Sequence, residues 1–181
     1  QIPSLFYYNE LIMLSDAGDA RVGSITSEQN WFMKWKLLDG ETVDDPTIMP
    51  LEVMLRGMLK KEVLLDFARH FVLFEDVGEG LKKKIAQYHQ YSAVKAALAS
   101  TVKATSAKGN RQGGVVWHTQ GSGKSLTMVL YTGLLFLEDR MNNPTVVVLT
   151  DRNDLDGQLF DTFCANAPIL RQTPVQADSR D

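Results

Sequence analysis

The sequence is poor in cysteine, in net charge and in long apolar runs, and each shortage removes a class of explanation. One cysteine in 181 residues, Cys164, can form neither an intramolecular disulfide nor a cysteine-rich zinc site, and a lone thiol suits a reducing, cytoplasmic compartment. Nineteen basic against 22 acidic residues leave a formal net charge of −3, so there is no global attraction to nucleic acid or to an anionic membrane. Any nucleic-acid contact must be local. The longest apolar stretch, around Met128–Leu137, is interrupted by Tyr131, Thr132 and Gly133 and falls far below the roughly 20 residues that span a bilayer. Gln1-Ile2-Pro3-Ser4 has no initiator Met, basic n-region or cleavage pattern, so the start reads as the middle of a longer chain rather than a signal peptide.

What is present is a folded composition. Hydrophobic residues make up 44% and charged residues 23%, which excludes wholesale disorder, collagen and low complexity. The length suits one ordinary domain or parts of two. Short apolar runs at Asn9–Ser15 and Ala20–Thr26 flank Asp16-Ala17-Gly18-Asp19, a pattern that predicts a β-hairpin. The aromatic group Trp31, Phe32 and Trp35 follows, better suited to core or interface packing than to base stacking. Asp39–Pro50, with three Asp, two Pro and one Gly, is the first candidate linker.

From Leu51 the apolar positions Leu51, Met54, Leu55, Met58 and Leu59 recur at helical spacing behind Pro50. A second helix is expected over Lys61–Leu73, a short strand over residues 82–86, and a helix over Tyr88–Lys103. Lys82-Lys83-Lys84 is a charge run that could attract phosphate, although such runs are usually solvated. Then the pattern changes character. Gly114–His118 and Thr145–Thr150 read as buried strands, each followed by a helix, over Lys124–Asp139 and Asp154–Phe163. Strand and helix alternating in this way predict a parallel α/β sheet.

The loop between the first such strand and its helix reads His118-Thr119-Gln120-Gly121-Ser122-Gly123-Lys124-Ser125, close to the phosphate-binding pattern G-x-x-x-x-G-K-[ST]. At a strand-to-helix junction, successive backbone N–H groups and a helix N-terminus converge on one anion. Gly121 and Gly123 allow close backbone approach, and amides from Gln120 to Ser125 supply donors. Lys124 would reach the β- and γ-phosphates, and Ser125 would offer its hydroxyl to Mg²⁺. His118 stands where the pattern has Gly, as a packed strand terminus suits better than a ligand.

His118–Met128 (HTQGSGKSLTM), followed by Thr145–Phe160 (TVVVLTDRNDLDGQLF), resembles helicase motifs I and Ia of the motor subunit of type I restriction enzymes, within the superfamily 2 helicases and translocases. Tyr88–Val94 is similar to the glutamine-bearing segment that recognises adenine in these motors, and Pro3–Trp35 looks like the segment that closes the nuclease domain. The resemblance implies an α/β fold with an incomplete RecA-like parallel sheet, preceded by a helical connector and the β-hairpin end of a nuclease domain. It divides the chain into residues 1–38, end of the nuclease domain; 39–80, linker and helical connector; and 81–181, first half of a RecA-like ATPase domain.

It also implies ATP and Mg²⁺ as cofactors, with Gln90, Thr119, Gln120, Gly121, Ser122, Gly123, Lys124, Ser125 and Leu126 around the nucleotide. Lys124 and Ser125 are the catalytic pair and Ser125 the metal contact. Gln90 would read adenine through its carboxamide; the alternative is a solvated glutamine at a helix start. Arg152 would approach the DNA backbone, the alternative being an ion pair with Asp151 or Asp154. Gln158 matches a recurrent glutamine of motif Ia and is assigned no role.

The implied activity is ATP-driven translocation of double-stranded DNA with endonucleolytic cleavage, in complex with methyltransferase and specificity subunits. No Asp-Glu-x-His motif occurs before Asp181, and no strand-borne Asp…Glu-x-Lys trio is evident. The segment alone is therefore expected to be inactive, with its nuclease site upstream of Gln1. The rivals are a stand-alone P-loop helicase or ATPase, a kinase, and a non-catalytic nucleotide-binding or interaction module in which Leu51–Leu73 docks a partner.

Overall fold

A computed structural model describes residues 8–16, 18–43, 45–76, 78, 80–151 and 153–177 of the chain. It is a mixed α/β structure with small sheets, and it separates into two compact units, Gln1–Ser92 and Ala93–Asp181.

Among the described residues, the first unit contains three two-stranded antiparallel hairpins and a helical pair. β1 (Ile12–Ser15) pairs with β2 (Ala20–Gly23) as the sequence predicts, with Ser15 opposite Ala20. The Asp16 carboxylate accepts the Asp19 N–H at 2.7 Å and stabilises the turn. The expected linker contains a second hairpin, β3 (Leu37–Leu38) with β4 (Glu41–Thr42), because Asp39 and Gly40 both take up positive φ, as a tight two-residue turn requires.

The Leu51–Leu59 helix is real but irregular. α1 (Pro50–Val53) passes into a π-helical turn, Met54–Met58, where the Leu59 N–H bonds the Met54 carbonyl five residues back. Gly57 lies against β3 so closely that a Cβ would sit 2.0 Å from the Leu37 carbonyl oxygen. α2 (Lys61–His70) then stops three residues short of the expected Leu73. Val72 and Leu73 instead open β5 (Val72–Asp76), which pairs along its length with β6 (Leu81–Ile85). Helical periodicity loses here to hairpin pairing, and beyond β5 the Gly78 N–H donates to the Asp76 carboxylate. Phe67, Phe71, Met54, Met58 and Val22 are fully buried. Trp35 stands edge-on to Phe67 at 5.7 Å and donates its indole N–H to the Leu37 carbonyl at 3.0 Å. Of the aromatic group, Trp35 is therefore core, whereas Trp31 is exposed.

The division between the units falls within α3 (Tyr88–Thr105). The second unit continues with α4 (Lys124–Leu137), α5 (Asn153–Ala165) and the short α6 (Ala167–Leu170). Val129 of α4, Phe163 of α5 and Leu170 of α6 form its buried cluster, with Phe136, Val148, Leu159 and Ile169 packed around them.

The two expected parallel strands differ from expectation. Gly114–His118 and Thr145–Thr150 are unpaired, and every pairing among the described residues is antiparallel. A parallel strand needs a partner carried in by a crossover, and no described residue supplies one beside either run. Thr145–Thr150 keeps the alternation of an extended chain: Val146 and Val148 are half-buried, and Val147 and Leu149 are exposed. Val115 and Trp117 are 92% and 89% exposed. No helix among the described residues is long and apolar enough to cross a membrane.

Candidate nucleotide-binding site

The glycine loop joins the Gly114–His118 run to α4, where the sequence places it. Gly121 (φ 79°) and Gly123 (φ 75°) both occupy the left-handed region that a Cβ disfavours. A Cβ on Gly121 would meet nothing within 4 Å, so space lies open over the loop. Gly123 is the N-cap of α4, and no side chain caps the helix. The first intrahelical bond is Thr127 N–H to the Gly123 carbonyl at 3.0 Å. The amides of Lys124, Ser125 and Leu126 precede it and have no partner within the helix, which makes this end a donor-rich, partly positive site.

The Lys124 ammonium folds over the loop, donating to the Thr119 carbonyl at 2.8 Å and the His118 carbonyl at 3.2 Å. The Ser122 hydroxyl also donates to the Thr119 carbonyl, at 2.8 Å, and closes the turn. Thr119, Gln120, Gly121, Ser122, Gly123, Lys124, Ser125 and Leu126 thus form one continuous loop and first helical turn. Neutral carbonyls hold the ammonium here; phosphate oxygens, being charged, would bind it more strongly. Beside the loop, a cavity of about 660 Å³ runs between α3, the Val115–His118 run and α4, past Ala97, Thr101, Trp117 and Met128. Its walls are mainly apolar, and Lys124 and His118 line it at the loop.

The other expected residues fare differently. Gln90 lies in the first unit, at 3% exposure, and its Oε1 accepts the Gln87 N–H at 2.8 Å. It is the third residue of α3 reaching back to cap the helix, not a solvated glutamine. Arg152 lies outside the described residues. Of its neighbours, Asp151 is exposed, and the Thr150 hydroxyl donates to Asp156 at 3.4 Å. Gln158 is exposed on α5.

Sequence reasoning gave no weight to Asp66, which accepts from Tyr91 at 3.1 Å and pairs with His70 Nδ1 at 2.9 Å. Burial, reinforced by this carboxylate, pushes the Tyr91 phenol above its usual range and keeps it a donor. The only available sign was the four-residue spacing of Asp66 and His70 on one helix face.

Residues 89–181 match the SWI2/SNF2 ATPase family, a region that contains the glycine loop, α4 and α5. The chain belongs to the SWI2/SNF2 ATPase family. Among curated relatives of this SWI2/SNF2 chain, it is 47% identical over 189 aligned positions to the type I restriction enzyme HindI endonuclease subunit of Haemophilus influenzae, covering 100% of this chain and 17% of that protein. It is 32% identical to a Methanocaldococcus jannaschii protein named for the MjaIXP endonuclease subunit, over 90% of this chain and 17% of that protein. A second M. jannaschii protein, named for the MjaVIIIP endonuclease subunit, is 35% identical over 60% of this chain and 11% of its own length. The chain therefore spans about a sixth of the first two relatives.

Proposed function

We propose that this SWI2/SNF2 segment belongs to the motor subunit of a type I restriction enzyme and supplies the ATP-binding loop of an ATP-dependent double-stranded DNA translocase and endonuclease. One observation carries the reading: the left-handed Gly121 and Gly123 shape an open loop at the uncapped start of α4, with the Lys124 ammonium held over it. That donor set fits a nucleotide polyphosphate, since it offers backbone N–H groups and a cation without an opposing carboxylate in the loop.

In this reading the amides from Gln120 to Leu126, with Thr119 at the rim, bind and orient the phosphates. Lys124 leaves the His118 and Thr119 carbonyls for the β- and γ-phosphates, and Ser125 holds Mg²⁺. ATP with Mg²⁺ supplies the phosphoryl bond whose hydrolysis drives movement. Gln90 contacts adenine through its carboxamide, which offers both a donor and an acceptor. Arg152 contacts the DNA backbone.

The proposed architecture assigns residues 1–38 to the end of a nuclease domain, 39–80 to a connector and 81–181 to the first half of a RecA-like domain. There, Gly114–His118 and Thr145–Thr150 become inner strands of a parallel sheet. The proposed partners are double-stranded DNA and the methyltransferase and specificity subunits, in the cytoplasm. The segment by itself does not turn over ATP.

The test is Lys124→Ala in the complete protein. DNA-stimulated ATP hydrolysis should fall about a hundredfold or more with the fold intact by circular dichroism, the scale on which loss of one charge-stabilising group acts. Unchanged turnover would refute the assignment. Failure of the unsubstituted protein to bind any nucleotide would favour a non-catalytic interaction module.

A further inference from the structure

The Lys82-Lys83-Lys84 run is not a uniform basic face. Strand alternation in β6 leaves Lys82 and Lys84 exposed and turns Lys83 inward, to 8% exposure, where it is the only buried charged residue among those described. Lys84 pairs with Glu75 of β5. The Lys83 ammonium donates to Glu10 at 2.9 Å and to the Asn9 carbonyl at 3.4 Å, and stands 5.7 Å from the Phe74 ring centre.

The backbone of the same residue is gripped as well. Thr26 Oγ1 accepts the Lys83 N–H and donates to the Lys83 carbonyl, both at 2.8 Å, so one hydroxyl takes the place of a neighbouring strand. Ser24, itself buried, adds a second donor to that carbonyl at 2.5 Å. These contacts span 57 to 74 residues of sequence and bind the N-terminal hairpin region to β6 without the connector between them. Past β6, the Ala86 N–H donates to the Phe71 carbonyl at 2.9 Å, and Gln87 and Gln90 open α3. Displacing the segment Asn9–Thr26 against the start of α3 therefore means breaking directional hydrogen bonds.

Burying a lysine is costly, and an apolar residue of similar length would often pack at least as stably. What a charged, hydrogen-bonded lysine adds is a fixed register between two elements. We propose that Lys83, held by Glu10, Ser24 and Thr26, is a positioning residue that couples ATP turnover to DNA cleavage in the complete protein. The inference rests on the reading above, in which the Glu10–Thr26 side closes a nuclease domain and β6 opens the ATPase domain.

The experiment measures DNA-stimulated ATP hydrolysis and plasmid cleavage in parallel on the complete subunit assembled with its partner subunits. Lys83→Met and Thr26→Val should each keep hydrolysis within about twofold while slowing cleavage about tenfold or more, so that far more ATP is spent per cut. Exchanging the charges, Lys83→Glu with Glu10→Lys, should recover part of the cleavage lost in either single variant. Parallel loss of both activities, or loss of neither, overturns the proposal. Absence of any ATP-dependent cleavage by the unsubstituted assembly overturns the functional reading, and the coupling role with it.

Discussion

The two units solve the problem of exposed backbone in opposite ways. In Gln1–Ser92 each strand finds its partner across a turn of a few residues, and the hairpins surround an aromatic and methionine core with Phe67 at 0% exposure. In Ala93–Asp181 the helices bury Val129, Phe163 and Leu170 against one another, while the strand-like runs display Val115, Trp117 and Leu149 at 87% exposure or more. An antiparallel hairpin is satisfied locally, whereas a parallel strand depends on segments far away in sequence. Apolar patterning alone thus predicts a strand in both units, but pairing is complete only where the partner is near.

The sharpest break of this contrast would come from amide hydrogen exchange on the complete protein. In β5 and β6 the paired amides, such as those of Leu73 and Lys84, should exchange slowly. If Gly114–His118 and Thr145–Thr150 are inner strands, the amides of Val116 and Val148 should be protected about a thousandfold or more, on the scale of sub-global opening. Rapid exchange at both runs would remove the parallel sheet from the proposal and leave exposure as a property of the protein itself.

Core truncation asks the same question energetically. Phe67→Ala, which deletes a ring packed against Trp35, Phe71 and Tyr91, should lower stability by about 3–5 kcal/mol in denaturant unfolding. Trp117→Ala should cost a similar amount in the complete protein if a sheet covers that run, but under about 0.5 kcal/mol if it stays exposed. Gly57→Ala is a smaller, local test. Its Cβ would collide with the Leu37 carbonyl 2.0 Å away and crowd the Trp35 indole nitrogen at 3.0 Å, for about 1–3 kcal/mol measured the same way.

What the sequence made legible follows the same division. The first hairpin, α3, α4 and the glycine loop all carry short-range signals, whether alternation, helical spacing or a glycine pattern, and all appear where expected. The end of α2 differs from the expected Leu73 because Val72 and Leu73 fit a helical stripe as well as a strand, and only pairing with β6 decides between them. The Asp39-Gly40 turn was hidden inside a polar stretch that looked like a linker. Lys83 was invisible for a different reason: nothing in a run of three lysines tells which one faces inward until the strand register is known. Gln90 stands at the start of α3 as its position in the sequence implies, but whether its Oε1 turns back to the Gln87 N–H or outward is decided by side-chain packing that no sequence pattern encodes.

The smallest effects compare the units through one acidic side chain in each. Asp19 in the first is held down to about 2 by its hydrogen bond from Arg21 and then by Lys34, and Glu138 in the second to about 2 by Arg140, which grips both carboxylate oxygens at 2.6 and 2.7 Å. A carboxyl whose folded pKa lies below its unfolded value, about 4, contributes stability in full above that value and loses it as the pH falls through the folded pKa. Both contributions should therefore be intact at neutral pH and fade between about pH 4 and pH 2. The units should part on substitution. Arg21→Ala leaves Asp19 its Lys34 partner at 2.9 Å, whereas Arg140→Ala removes the one cation that holds Glu138 down. Carbon-detected NMR titration should show the Glu138 midpoint returning most of the way to the ordinary glutamate range and the Asp19 midpoint rising only part of the way. Equal recovery at both sites would mean that Lys34 contributes nothing to holding the first hairpin's turn, and that the Asp19 cluster is a simple pair like its counterpart.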